Sequence, residues 1–310
     1  MTLPARTRTY QTAFFDSVRW DHFRPRAGDI IVCTPAKSGT TWTQMLCAML
    51  VHQAPVFPQP LSRLSRWLER LRDPIEEVIA AYEAQAYRRI VKTHTPLDGL
   101  PYWPEVSYVF CGRDPRDVFF SALDHMANAS DETIEDMKRR AGVTEDFVLP
   151  SDPDVFFPLW LTTGAMDGTE DGFPIGSVMS LTKTYWRHRD APNLHFLHYA
   201  DLSADLDGEM CGLARFLGVP VNERLWPELV TAGGFEAMRG RADELAPGAH
   251  FGEWRSNDAF FRSARRGAWR DVLSAESCAL YEQIATERLG PRLKAWLEGG
   301  RALGGDPKAA

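Results

Sequence analysis

Residues 34 to 42 read Thr-Pro-Ala-Lys-Ser-Gly-Thr-Thr-Trp and directly follow the apolar run Ile30-Ile31-Val32-Cys33. Such a loop can hold an anion. Gly39 permits close backbone approach, and the amides and hydroxyls of Ser38, Thr40 and Thr41 face the start of the next helix, where unpaired N–H groups and the macrodipole favour negative charge. The loop departs from the Gly-x4-Gly-Lys-Ser/Thr nucleotide pattern, because Lys37 precedes the only glycine and so reaches a different ligand atom. Taken alone, it is equally a polar strand-to-helix turn with a solvated lysine. A second group, Lys92-Thr93-His94, closes the short run Ile90-Val91 and puts a cation and a titratable imidazole at the carboxyl edge of a sheet, where open α/β folds bind ligands. His94 is there either a structural histidine or a general base. A third, Arg113-Asp114-Pro115-Arg116-Asp117, follows the run 106 to 111; Pro115 suits a first helical position and Ser121 lies two turns on. Arg113 and Ser121 can meet on one phosphate, or the Arg–Asp pairs merely cap the helix.

The elements that must position these groups are legible as periodicities. Four apolar runs, 30 to 33, 90 to 91, 106 to 111 and 194 to 199, suit strands buried on both faces. Trp42, Met45, Leu46, Met49 and Leu50 recur at helical spacing after the first run, and Val118, Phe119, Ala122 and Met126 after the third. Residues 205 to 217 repeat the pattern with Met210, Leu213, Phe216 and Leu217, and Gly218 stops it. Strand, loop and helix in this alternation predict an α/β fold: three layers, a mostly parallel central sheet flanked by helices, and a P-loop-like nucleotide site. The expected organisation is one domain over residues 1–310. Residues 1–10 and 299–310 are expected to be disordered, and 127–177, acidic with isolated aromatics at Phe147, Phe156, Phe157 and Trp160, to form an insertion or lid near an acceptor site.

Composition narrows the partners. A chain of 310 residues with 44% hydrophobic and 25% charged residues can bury a full core. Its net charge of -7 argues against a surface built for nucleic acid or anionic lipid, so an anion site has to be local. No stretch reaches the length of a membrane helix, and the first residues lack a secretory pattern. The five cysteines, Cys33, Cys47, Cys111, Cys211 and Cys278, have no Cys-x-x-Cys spacing, which speaks for a reducing, cytoplasmic setting and against a thiolate metal site. Cys33 and Cys111 end apolar runs and read as small hydrophobes.

Together, the three groups resemble the cytosolic-type sulfotransferases, which use 3′-phosphoadenosine 5′-phosphosulfate (PAPS). The family's 5′-phosphosulfate loop looks like residues 34 to 42, its Lys-Thr-His segment like 92 to 94, and its 3′-phosphate motif like 113 to 118 with Ser121. Tyr199-Ala200-Asp201-Leu202 and Phe235-Glu236-Ala237-Met238 extend the resemblance, which runs from about residue 20 to about residue 290. The family's C-terminal Arg-Lys-Gly-x-x-Gly-x-Trp loop aligns with residues 262 to 269, keeping Arg262, Gly267 and Trp269 but carrying Ser263 and Ala264 in place of Lys-Gly; Arg265 or Arg266 is available to supply the missing charge.

The resemblance implies a sulfotransferase of EC class 2.8.2 that moves a sulfuryl group from PAPS to a hydroxyl, or an amine, of a small apolar or aromatic acceptor. In it His94 is the general base, Lys37 the cation at the leaving oxygen, and Lys92 its neighbour on the sulfuryl oxygens. Ser38, Gly39, Thr40 and Thr41 hold the 5′ end. Trp42, Tyr199 and Phe235 lie against the base, and Arg113, Ser121, Arg262 and the Arg265-Arg266-Gly267 loop take the 3′-phosphate. Gly233, where relatives often carry threonine, offers no side chain. No metal is called for. The acceptor pocket is expected near Phe14, Phe15 and Phe23, the stretch 55 to 67, and Phe147 to Trp160. The partner is then a small-molecule acceptor, with neither nucleic acid nor membrane, and a homodimer is left open. Two rivals stand beside this reading: an ATP-dependent phosphotransferase with Asp201 as its magnesium acid, and a non-catalytic adenosine-phosphate-binding protein.

Overall fold

The computed structural model describes residues 4–142, 149–220, 222–261 and 266–309. Strands β1 (Ile30–Cys33), β2 (Ile90–Thr93), β3 (Ser107–Gly112) and β4 (Leu194–His198) form a parallel sheet in the order β2-β1-β3-β4. The register sets Ile30 against Ile90 on one side and Ser107 on the other, and Phe110 against Phe196. Successive side chains of a strand point to opposite faces, so the runs lack polar alternation because both faces are covered. Ile30, Val32, Ile90 and Val109 join one core with Met45, Met49, Met210 and Leu213. Ile31, Cys33, Val91 and Phe110 join the other with Phe119, Phe157, Trp160 and Tyr281. The three expected layers are thus present. On the first face lie the Thr40–His52 and Leu206–Leu217 helices; on the second lie Pro115–Ala127, Pro153–Thr162, Val178–Trp186 and Ala275–Gly299.

Helix boundaries follow local chemistry. Asp114 caps Pro115–Ala127 through the Arg116 amide, with Pro115 at the position where a missing N–H costs nothing. Gly218 (φ 63) closes Leu206–Leu217 in the left-handed conformation. Cys33 and Cys111 are fully buried and free, as small hydrophobes should be.

Three expectations are corrected. Residues 299–309 are packed, not disordered: Arg301 starts the short Arg301–Gly304 helix, and its guanidinium reaches Asp201, Glu209 and the Phe196 carbonyl at 3.0 Å. Glycine allows close packing there, since a Cβ on Gly304 would meet the Trp296 backbone at 2.4 Å. Residues 4–10 are tied down as well, with the Thr7 and Arg8 amides on the Asp98 carbonyl and the Tyr10 hydroxyl 2.9 Å from Asp98 Oδ1. Within 127–177, the Pro153–Thr162 helix is core and not lid: Phe156, Phe157 and Trp160 are fully buried and surround Phe119. Among the described residues of that stretch the Asp131–Ala141 helix buries nothing, and Phe147 lies outside them.

Candidate active site

The loop leaving β1 bends through two positive-φ residues, Lys37 (φ 67) and Gly39 (φ 101). A left-handed lysine costs about 1 kcal/mol, a strain typical of functional turns. Gly39 is the N-cap of the Thr40–His52 helix and supplies no side-chain cap, so the first-turn amides keep their attraction for an anion. The site also explains why this residue is glycine, because a Cβ would come within 3.3 Å of Cys111 Sγ and 3.4 Å of the Tyr199 ring. Thr34 and Thr40 hydroxyls pair at 2.6 Å across the loop. Ser38 is fully buried, yet its hydroxyl has no hydrogen-bond partner. Burying an unpaired polar atom is unfavourable, which marks Ser38 Oγ as part of a site that a ligand completes.

Basic groups from three segments gather around this loop. Arg113 Nη1 donates to the Lys37 carbonyl at 3.0 Å, its guanidinium lies 4.3 Å from the Tyr199 ring centre, and its buried Nε has no partner. Lys37 Nζ stands 3.1 Å from His125 Nδ1 and 4.4 Å from the Phe260 ring centre. A small cavity of about 70 Å³ lies between Lys37, Arg113, Ser121 and Phe260, so the early and middle motifs do converge. Lys92 is buried with its Nζ 4.8 Å from the Trp67 ring centre. Burial, and then the neighbouring Arg113, push Lys37 down to about 7. Burial and Arg70 push Lys92 down to about 8. In both, burial is the larger cause and the neighbouring guanidinium adds to it.

The Arg-Asp motif divides its labour. Arg116 donates to both Asp114 oxygens at 2.9 and 2.8 Å and lies on the Trp269 and Tyr281 rings, so this pair is structural. Arg113, one turn earlier, is turned to the loop. Asp117 accepts from the Gly267 amide at 2.8 Å and thereby ties the C-terminal loop to the start of the Pro115–Ala127 helix. Arg266 is exposed beyond this clasp, and Arg262, Ser263, Ala264 and Arg265 lie outside the described residues.

His94 has a defined tautomer. Its Nδ1 lies 2.8 Å from the Thr34 carbonyl, which can only accept, so Nδ1 carries the proton and Nε2 presents a lone pair. Burial, then Lys92, hold the imidazole down at about 3, hence neutral near pH 7. The ring packs edge-on against Trp67 at 5.1 Å. Beneath it sits Glu69, fully buried, whose carboxylate accepts from Trp20 Nε1 (2.6 Å), Trp67 Nε1 (2.8 Å), Thr95 Oγ1 (2.6 Å), the His94 amide (3.2 Å) and the Thr93 hydroxyl. That hub fixes the whole Lys92-Thr93-His94 segment. Sequence reasoning passed over Glu69, which has no periodic signature. It also passed over His125, although its i+4 spacing from Ser121 places both on one helix face.

The residues expected around an adenine occupy one neighbourhood. Trp42 and Tyr199 meet edge-to-face at 5.3 Å, and Phe235 packs on the same core. Trp42 is largely buried, and its Nε1 donates to the Gly233 carbonyl at 2.8 Å. Gly233 is small because Leu46 and Met49 press against it. Asp201, the acid of the rival phosphotransferase reading, accepts from the Arg301 amide at 3.0 Å and caps the C-terminal helix. The hydroxyls of Thr40 and Thr41 differ in direction: Thr40 closes the loop, whereas Thr41 lines a larger cavity of about 480 Å³ that also touches Lys92 and Trp67. Of the stretch 55 to 67, Leu61, Arg63 and Arg66 contribute to this cavity. Phe15 stacks on Trp67 at 6.1 Å, but Phe23 is core and so is unable to line an acceptor pocket.

Comparison with known proteins agrees with this geometry. The family model described as a sulfotransferase domain matches residues 27–291. A glycolipid sulfotransferase of Mycobacterium tuberculosis is 37% identical over 314 residues, covering 96% of this chain and 96% of the relative. Sulfotransferase 1E1 of Bos taurus is 24% identical over 71% of this chain and 68% of its own length. Among solved structures, mouse sulfotransferase SULT7A1 complexed with PAP superposes with a TM-score of 0.65 at 18% identity, covering 88% of each chain. Retinol dehydratase in complex with retinol and PAP superposes with a TM-score of 0.66 at 22% identity, covering 89% of this chain and 86% of that one. The phosphotransferase alternative finds no support among these matches, and with its loop, its Lys-Thr-His segment and its Arg-Asp helix gathered at one sheet edge, the chain belongs to the sulfotransferase family.

Proposed function

We propose that the enzyme transfers the sulfuryl group of PAPS to a hydroxyl of a glycolipid-type acceptor. The observation that carries this reading is the neutral His94 with Nδ1–H on the Thr34 carbonyl and Nε2 available, with the buried Lys92 and the half-buried Lys37 close enough to act on it. The residues present fit a nucleotide that bears phosphates at both ends: Ser38 Oγ and Arg113 Nε are buried and unpartnered, and Lys37 and Arg113 line the small cavity beside them. Ser38, Thr40, Thr41 and the first-turn amides would hold the 5′ end; Arg113 and Ser121, with the Gly267 loop clasped by Asp117, would hold the 3′ end. Trp42, Tyr199 and Phe235 would flank the base. Arg262 and Arg265 belong to this proposal on sequence alone. When bound, the donor supplies a sulfuryl group attached to its 5′-phosphate.

The chain's own contributions are positional and electrostatic. His94 Nε2 takes the hydroxyl proton as the oxygen turns nucleophilic, a role worth about 10²–10⁴ in rate. The imidazole can do so because its other nitrogen is already committed to Thr34, and the imidazolium is then stabilised by the anionic charge gathered before it. Lys92, and Lys37 in its protonated form, present positive charge in a largely buried site, where it acts more strongly than in solution; the anionic donor, once bound, favours that protonated form. The acceptor class follows from the glycolipid sulfotransferase at 37% identity and from the mixed polar character of the cavity beside Lys92. The test is direct. Adenosine 3′,5′-bisphosphate should raise Tm where ATP–magnesium does not, and incubation with PAPS and an alkyl glycoside should release that nucleotide. His94→Ala should remove turnover and keep nucleotide affinity; stabilisation by ATP–magnesium alone overturns the reading.

A further inference from the structure

We infer that the acceptor carries a fixed negative charge, read by Arg63 and Arg66 on the wall of the cavity beside the reacting groups. This deepens the sulfuryl-transfer reading and rests on it. The cavity, at about 480 Å³, is within the range of small-molecule sites and has room for a sugar ring with a charged substituent. It begins at the chemistry: Lys92 and Trp67 line it, and the Trp67 ring lies 5.1 Å from that of His94.

Its wall is charged out of proportion to the molecule. Arg63, Arg66, Arg70 and Lys92 line it against only two acids, Asp73 and Glu77, four cationic side chains to two, in a chain whose net charge is -7. Arg70 is engaged, because Glu253 takes both Arg70 and Arg72 at 2.7 Å, so one carboxylate already serves two guanidiniums. Among the described residues, Arg63 and Arg66 have no ion pair. The Arg66 Nε is moreover buried without any hydrogen-bond partner, an unfavourable state that a neutral hydroxyl relieves poorly and an anion relieves well. A guanidinium fork matches the two oxygens of a carboxylate or phosphate. An uncharged acceptor would leave these cations facing one another and Lys92. An anionic one would neutralise them and hold its hydroxyl toward His94 from a fixed distance.

A matched pair of probes isolates this charge: phenyl β-glucoside, which is neutral, and phenyl β-glucuronide, which differs by one carboxylate. Calorimetric titration of each into protein saturated with adenosine 3′,5′-bisphosphate keeps the nucleotide's phosphate sites filled. The glucuronide should bind at least about tenfold more tightly than the glucoside, as one charge-assisted contact allows. Arg66→Gln should erase most of that preference, and Arg63→Gln, at an exposed position that does not endanger folding, should reduce it. Nucleotide affinity should be unchanged in both variants. Equal affinities, no measurable glucuronide binding, or a preference that survives both substitutions would overturn the inference. Failure of the nucleotide itself to bind would instead count against the sulfuryl-transfer reading.

Discussion

At the scale of single residues, the site depends on which atoms are already committed. His94 can act as a base because Thr34 fixes its tautomer, and Thr34 can do so because the loop is closed by the Thr34–Thr40 hydroxyl pair. Glu69 is the less obvious partner. A carboxylate accepts at every lone pair, and here its partners all donate, so an amide in its place would point an NH2 group at another donor. Glu69→Gln should therefore cost about 2 kcal/mol of stability, the usual penalty for an unmatched buried group. It should also lower kcat by roughly tenfold to a hundredfold through misplacement of His94. Adenosine 3′,5′-bisphosphate affinity should stay the same, which separates loss of positioning from general damage. If kcat held while stability fell, Glu69 would be a fold residue only.

At the scale of elements, what was legible in the sequence is what local patterns encode. The four strands could be read because burial on both faces makes them continuous apolar runs, and the Thr40–His52 and Leu206–Leu217 helices because their apolar residues recur every three or four positions. Lys37, His94 and Arg113 could be read as site residues because each follows a strand end, and Lys92 because it stands near the end of β2 beside His94. Order that depends on distant partners was not legible. The tail 299–309 looks disordered by composition, yet Arg301 anchors it to Asp201 and Glu209, about a hundred positions away in sequence. The Pro153–Thr162 helix was hidden by acidic and proline-rich flanks, although Phe156, Phe157 and Trp160 are spaced to form one buried face. The anchor can be tested. Burial pushes the Asp201 and Glu209 carboxyls up, so removing their cation leaves two half-buried charges unbalanced. Arg301→Ala should lower stability by about 2 kcal/mol in urea unfolding, discounted for partial exposure, without altering nucleotide affinity. An unchanged unfolding midpoint would show that the tail contributes nothing to the fold.

At the scale of the whole molecule, an acidic chain keeps several bases neutral inside. Burial is the first cause in each case: it holds His94 and His198 at about 3 and His195 at about 4, against an ordinary value near 6.5. The sign then follows from proton linkage. Burial holds His125 well below its ordinary value too, so as pH falls through about 6.5 the unfolded chain takes up at least four protons that the folded chain refuses until about pH 4 or below, and acid favours unfolding across that window. Each imidazole contributes a loss of order 2 kcal/mol between neutral pH and pH 5. Asp114 and Asp171 work the other way, because burial raises them and the folded state protonates them first, which offsets part of the loss at the acid end. The expected curve is a steep fall of Tm between pH 6 and pH 4.5, and a continued rise above about pH 7, where folded Lys37 and Lys92 release protons that the unfolded chain keeps. His195→Gln, remote from the reacting groups, should flatten that fall by one proton's worth, measured as the slope of unfolding free energy against pH. A Tm that stays level down to pH 4.5 would mean that these histidines are charged in the folded protein, and a charged His94 would have no lone pair with which to take a proton.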